Sequence, residues 1–212
     1  LKHTVIVLSA DHGTPDALPY LNLRGDQNSD YYDMAACMQS VEAGMAREYR
    51  DAEGLLGDFS HPYIYLDQAV MEEAQLDQIE VAQLAAHLVE QCPGINAAIV
   101  TAGSQSAPAA NTAVETRVWN NFNSRRSGDV HVVLDSNVYV NDFDGLMVAA
   151  THGSPWNYDT FVPIFFAGQG IDSGSVSRRV TPYDIAPTLS ALLGIKPPSG
   201  SVGNPLEEVL AR

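Results

Sequence analysis

The sequence predicts an α/β protein: part of a sheet whose apolar strands each deliver a histidine and a glycine, with a small α+β segment inserted between them. Three observations carry this. Val5-Ile6-Val7-Leu8 is a continuous aliphatic run, closed by Gly13 and Pro15. The stretch Leu146–Thr151 leads in the same way to His152 and Gly153. Between them, Tyr63 to Val140 reads as strand, helix, strand, helix, strand, strand.

The first run suits a central strand of a parallel sheet with both faces covered. Thr14 to Asp30 reads as a loop with one helical turn near Ala17–Leu21, and Asp30 or Asp33 caps the next helix. Met34, Cys37, Met38, Val41, Met45 and Tyr49 recur at helical spacing and form a core stripe. Tyr63–Leu66 is a short strand. A helix over about Gln75–Gln91 turns Leu76, Ile79, Leu84, Leu88 and Val89 to the core, and Pro93-Gly94 stops it. Ile95–Thr101 is a strand, Ala102–Ala110 a loop, and Asn111 or Thr112 caps a helix running to about Phe122. Asp129–Leu134 alternates as a strand, with Asn137–Val140 pairing with it as a hairpin. Val162–Phe166 is a strand of the main sheet. Thr181-Pro182-Tyr183-Asp184 opens a helix that Gly194 ends, with Ile185, Leu189, Leu192 and Leu193 as its apolar face. Pro205–Ala211 forms a last turn. Residues 1–20 and 141–212 thus make a core, and 21–140 an inserted α+β cap with its linkers.

The chain has 212 residues and a formal net charge of −15. That charge opposes nucleic acid or an anionic membrane surface as partner. No apolar run is long enough to span a bilayer. Cys37 and Cys92 are too few for a disulfide scaffold and lack metal-site spacing; they read as buried free thiols, with a single bridge as the alternative.

A carboxylate beside an imidazole at a strand tip, as in Asp11-His12, is a reasonable pair of metal ligands and equally a satisfied structural pair. Three ordered stretches decide between these readings. They are Ser9-Ala10-Asp11-His12-Gly13, the run from Thr151-His152-Gly153-Ser154-Pro155-Trp156-Asn157-Tyr158-Asp159-Thr160 to Val162-Pro163-Ile164, and Val180-Thr181-Pro182-Tyr183-Asp184-Ile185-Ala186-Pro187-Thr188-Leu189-Ser190-Ala191-Leu192-Leu193-Gly194-Ile195. Together they resemble the alkaline phosphatase superfamily, in particular the phosphate-irrepressible alkaline phosphatases and the type I phosphodiesterase/nucleotide pyrophosphatase group. Tyr20 to Val140 matches only loosely.

The resemblance implies an alkaline phosphatase-like three-layer sandwich and two divalent metals, most often zinc, that clamp a phosphate ester. Such cations would reconcile an acidic chain with an anionic substrate. Asp11 and His12 match ligands of the metal that activates the nucleophile, and His152 matches a ligand of the other. The nucleophile and remaining ligands lie upstream in relatives, so no catalytic nucleophile is expected in this chain. It reads as a C-terminal fragment holding part of each site, silent alone, and completed by the missing N-terminal half or by self-association. The resemblance also implies a periplasmic or secreted protein. Phe161 stands where many relatives have histidine, at a position that is not a ligand.

Asn157 and Asp159 are candidates to orient His152, with turn formation as the plainer role. Ser154 and Thr160 have no readable histidine relay. His61 reads as a loop residue, His87 as a helix residue, His131 as exposed on an alternating strand, and His3 as terminal. Asp16 and Asp135 read as solvated, and Arg24, Arg125 and Arg126 as solubilising. The rival readings are a nucleotide pyrophosphatase or sulfatase branch, and a catalytically silent partner-binding module.

Overall fold

A computed structural model describes residues 3–50, 52–140, 142–143 and 146–210, with backbone alone at 58, 142, 143, 146 and 147. In chain order the elements are β1 (Val5–Leu8), α1 (Leu18–Leu23), β2 (Asp30–Tyr31), α2 (Met34–Glu48), β3 (Leu56–Ser60), β4 (Tyr63–Leu66), α3 (Gln68–Ala74), α4 (Gln78–Val89), β5 (Ile95–Val100), α5 (Ala113–Asn121), β6 (Val130–Leu134), β7 (Val138–Tyr139), β8 (Asp142–Phe143), β9 (Leu146–Met147), the turn α6 (Asn157–Thr160), β10 (Phe165–Gly168), α7 (Ile185–Leu193) and the turn α8 (Glu207–Leu210). Contacts group these into two units, Leu1–Gly13 with Phe161–Arg212, and Thr14–Thr160.

The Thr14–Thr160 unit is built on a four-stranded antiparallel sheet in the order β3-β4-β6-β5. Asp33 caps α2 by accepting from the Ala36 amide at 3.1 Å, and Asp77 caps α4 by accepting from the Ile79 and Glu80 amides. The stripe Met34, Cys37, Val41 and Met45 is buried as its spacing predicts. On α4 the buried face is Val81, Ala82, Ala85, Ala86 and Val89, whereas Ile79 is 43% exposed. Leu76, Leu84 and Leu88 of the expected face are partly buried and pack against the core, so Ile79 alone of that face departs, and the alanines let the helix lie close against neighbouring elements. Between β4 and β5, β6 is buried along its whole length, so His131 is 4% exposed rather than facing water. A strand covered on both faces loses the alternation that edge strands show.

β7 pairs in parallel with β2 and not as a hairpin with β6. Strand β3 and helix α3 were not legible. Gly57 inside the one and the short length of the other hid them. The thiols are not free: Cys37 and Cys92 form a disulfide with Cα atoms 5.7 Å apart. Both residues line the core formed by α2 and the end of α4, and no feature of a 55-residue separation announces that proximity.

In the other unit, β1 pairs with β10, antiparallel, from Val5 opposite Gly168 to Leu8 opposite Phe165. This corrects the expected parallel neighbour. Ile6 and Leu8 are 46% and 63% exposed among the described residues, so the run is not covered on both faces here. Within the expected Leu146–Thr151 strand only Leu146–Met147 (β9) is extended, and Val162–Ile164 precede β10 rather than opening it. The Thr181–Asp184 start holds: a capping box closes a 3₁₀ turn, Pro182–Asp184, and runs into α7. Asp184 also accepts from the Asn204 amide, and Thr188 Oγ1 accepts from the Leu206 amide, tying the final segment to the helix. The buried residues of α7 are Pro187, Thr188 and Ser190, whereas Leu193 is 66% exposed. Ala211, the expected end of the last turn, lies outside the described residues.

Candidate metal centre

Asp11 and His12 sit three and four residues beyond β1, where the backbone has left the strand pairing. Their side chains are arranged by local bonds. Asp11 Oδ1 accepts from the His12 amide at 3.1 Å, which pins the carboxylate and turns its other oxygen outward. His12 Nδ1 lies 2.8 Å from the Gly13 carbonyl oxygen. A carbonyl only accepts, so Nδ1 carries a proton, and in the neutral ring that binds a metal the lone pair is on Nε2. That nitrogen lies 3.6 Å from Asp11 Oδ2. Two ligand atoms about 2.0–2.1 Å from one tetrahedral zinc are separated by roughly 3.4 Å. The pair's separation is close to one edge of a tetrahedral coordination shell.

His152 belongs to the Thr14–Thr160 unit, in an exposed turn that α6 follows. Gly153 adopts φ +116°, a conformation that side-chain-bearing residues rarely take. Asp159, 4% exposed, holds this turn. Its Oδ2 accepts from the Gly153 amide at 3.0 Å, the Ser154 amide at 2.7 Å and the Ser154 hydroxyl at 2.7 Å. Asn157 Oδ1 accepts from Arg117 on α5 at 2.7 Å, and the same guanidinium donates to the Pro155 carbonyl. Trp156 Nε1 donates to the Leu134 carbonyl at the end of β6, and the Tyr158 hydroxyl accepts from the Asn137 amide. The turn after His152 is thus tied to three parts of the inserted segment.

Sequence reasoning missed Arg117, Trp156 and Tyr158 as supports, and nothing local to them signals it, since their partners lie 21 to 40 residues away. His131 is the other omission. Burial, and next the nearby His61, push its pKa down to about 4 and keep it neutral. His61 is lowered by burial in the same sense.

One carboxylate and two imidazoles are the donor types that zinc sites use. Among the described residues no group of three or more His, Cys, Asp or Glu is gathered closely enough to hold a metal ion. The donors therefore fit in kind and, for Asp11 with His12, in spacing, but they do not close a site by themselves.

The chain is 33% identical over 150 residues to alkaline phosphatase PhoV of Synechococcus elongatus, covering 69% of this chain and 26% of that protein. It is 29% identical over 208 residues to a Myroides odoratus protein named calcium-transporting ATPase, covering 97% of this chain and 36% of that one. The crystal structure of wild-type alkaline phosphatase PafA matches 98% of this chain with a TM-score of 0.77 at 26% identity, over 38% of its own length. The chain spans from 26% to 36% of the length of these two curated relatives. No protein-family model matches it.

Proposed function

The chain belongs to the alkaline phosphatase superfamily, as its C-terminal part, and on that premise we propose that it contributes part of a two-metal site to a hydrolase of phosphate monoesters or diesters. The observation that carries the reading is the 3.6 Å spacing of Asp11 Oδ2 and His12 Nε2, with the tautomer set by Gly13. In this proposal Asp11 and His12 hold one divalent metal, most often zinc in such sites, and His152 serves the second. Bound cations there would neutralise charge that builds on the phosphate in the transition state. The residues of this chain do the positioning. Gly13 fixes the His12 proton on Nδ1, the His12 amide aims the Asp11 carboxylate, and Asp159 shapes the turn that presents His152.

The nucleophile and the remaining ligands are proposed to lie in the rest of the protein, with residues 1–20 and 141–212 in the core and 21–140 as a cap. A chain without them is expected to be silent. No described helix is long and apolar enough to cross a membrane. The Cys37–Cys92 bridge supports a periplasmic or secreted location, since such bonds persist in oxidising compartments.

The test is hydrolysis of an aryl phosphate monoester and diester by the full-length protein containing this chain, with zinc and then with a chelator. Chelator-sensitive turnover is expected, and the ratio of the two rates names the class. A preference for nucleotide pyrophosphates or sulfate esters would move the protein to those branches. No turnover on any ester with metal present would leave the partner-binding module.

Replacing Asp159 with alanine in that protein removes three hydrogen bonds from the turn beside His152. Activity is expected to fall about 10- to 100-fold, the usual cost of losing a residue that orients a ligand. A zinc titration followed through turnover should show weakened apparent affinity. Unchanged affinity and rate would remove Asp159 from the site.

A further inference from the structure

Asp159 has a second oxygen that the turn does not use. Oδ1 is buried and accepts from no side chain or backbone group. The same holds for Nδ1 of His131, which is 4% exposed, and for Nδ1 of His61. These three residues line one small cavity within the Thr14–Thr160 unit, whose wall also includes His152. Buried polar atoms in native proteins almost always have partners, so three orphans around one space call for a ligand. The space open to the centres of water-sized spheres is ≈ 20 Å³. One water needs about 10–15 Å³ on this measure, with two to four polar partners.

We propose that this cavity binds one ordered water, bridging Asp159 Oδ1 to the Nδ1 atoms of His131 and His61. The chemistry fits a water better than a cation. Two neutral imidazoles can each accept or donate according to tautomer, a carboxylate accepts, and a water can complement all three. The described His, Asp, Glu and Cys side chains are not gathered tightly enough here for a metal ion. The consequence rests on the function proposed above. The water joins β6 to the carboxylate whose other oxygen holds the Gly153–Ser154 turn, so His131 acts as a positioning residue for His152 from the far side of Asp159.

The experiment is a crystal structure of the full-length protein at a resolution that shows ordered waters, for the wild type and for His131→Phe and His131→Gln. A single peak within hydrogen-bond reach of Asp159 Oδ1 and an imidazole Nδ1 is expected in the wild type. His131→Phe should lose it and lower kcat about 10- to 100-fold with KM little changed, and His131→Gln, which keeps a polar atom, should recover most of the rate. A dry cavity in the wild type overturns the proposal. So does a peak at metal-coordination distances that vanishes with a chelator. If the phenylalanine variant does not fold, the wild-type density alone decides. The peak does not depend on activity, so a water present in a protein that hydrolyses no ester would overturn the phosphatase reading and leave the site standing.

Discussion

Full-length protein carrying His12→Ala is expected to lose phosphate-ester hydrolysis by more than the ~100-fold that changes outside the ligand set typically cost. Saturating zinc should not restore it. Asp11 and His12 supply two donors from adjacent residues, 3.6 Å apart, so removing one leaves a single carboxylate oxygen on that side of the site. Zinc sites keep three protein ligands even when one position is open for substrate, and a site reduced below that number binds weakly. The fold should survive, because the His12 side chain is 40% exposed. The comparison therefore needs two measurements, the initial rate across a zinc series and the thermal midpoint. A lost rate with an unmoved midpoint supports the ligand role. Retained activity would remove His12 from the metal centre and, with it, the observation on which the proposed function chiefly stands. Asp11→Asn makes a useful companion, since it keeps the shape and one acceptor oxygen while discarding the charge.

Replacing Cys37 and Cys92 by serine is expected to destabilise the protein by about 4 kcal/mol, from the chain entropy that a closed loop of this length withholds from the unfolded state. The bridge spans a separation of 55 residues and joins α2 to the segment just after α4, across the core of the Thr14–Thr160 unit. Loops of that length lie in the range where the cross-link effect is already large and grows only slowly. The corresponding fall in the thermal midpoint is roughly 10 °C. Oxidised and fully reduced wild-type protein should differ in the same sense, which separates loss of the bond from any packing defect of serine. Identical midpoints for the two redox forms would show that the native contacts of α2 with α4 carry the stability unaided.

Much of the layout was written locally. Asp33, Asp77 and Thr112 each cap a helix because a short acceptor side chain there meets amides that have no partner within the helix, and at Thr181 the Asp184 carboxylate accepts from the Thr181 amide and hydroxyl. The Met34–Met45 stripe was legible because helical spacing puts those residues on one face whatever surrounds them. Asp11, His12 and His152 stood out by their motifs. The geometry of the first two is set within three residues, by an amide, a carboxylate and a carbonyl that cannot be far apart.

Where neighbours decide, local reading failed. Apolar content in β1 does not state which strand lies beside it or in which direction, and its partner β10 arrives from about 160 residues away, antiparallel. His131 looked exposed because alternation was assumed, whereas β6 lies between β4 and β5 with α4 packed on it, and all five of its residues are buried. On α4, Ile79 alone of the expected face is turned outward, and the alanines are the more deeply buried because close approach of backbones rewards small side chains there. The sequence by itself determined the starts of α2, α5 and α7, the core stripe of α2 and the local Asp11-His12 geometry, all of which depend on atoms a few residues apart. Only the tertiary structure decided the disulfide, the strand partners, the burial of His131 and the bracing of the His152 turn, because each is a contact between segments whose separation along the chain carries no information about their distance in space.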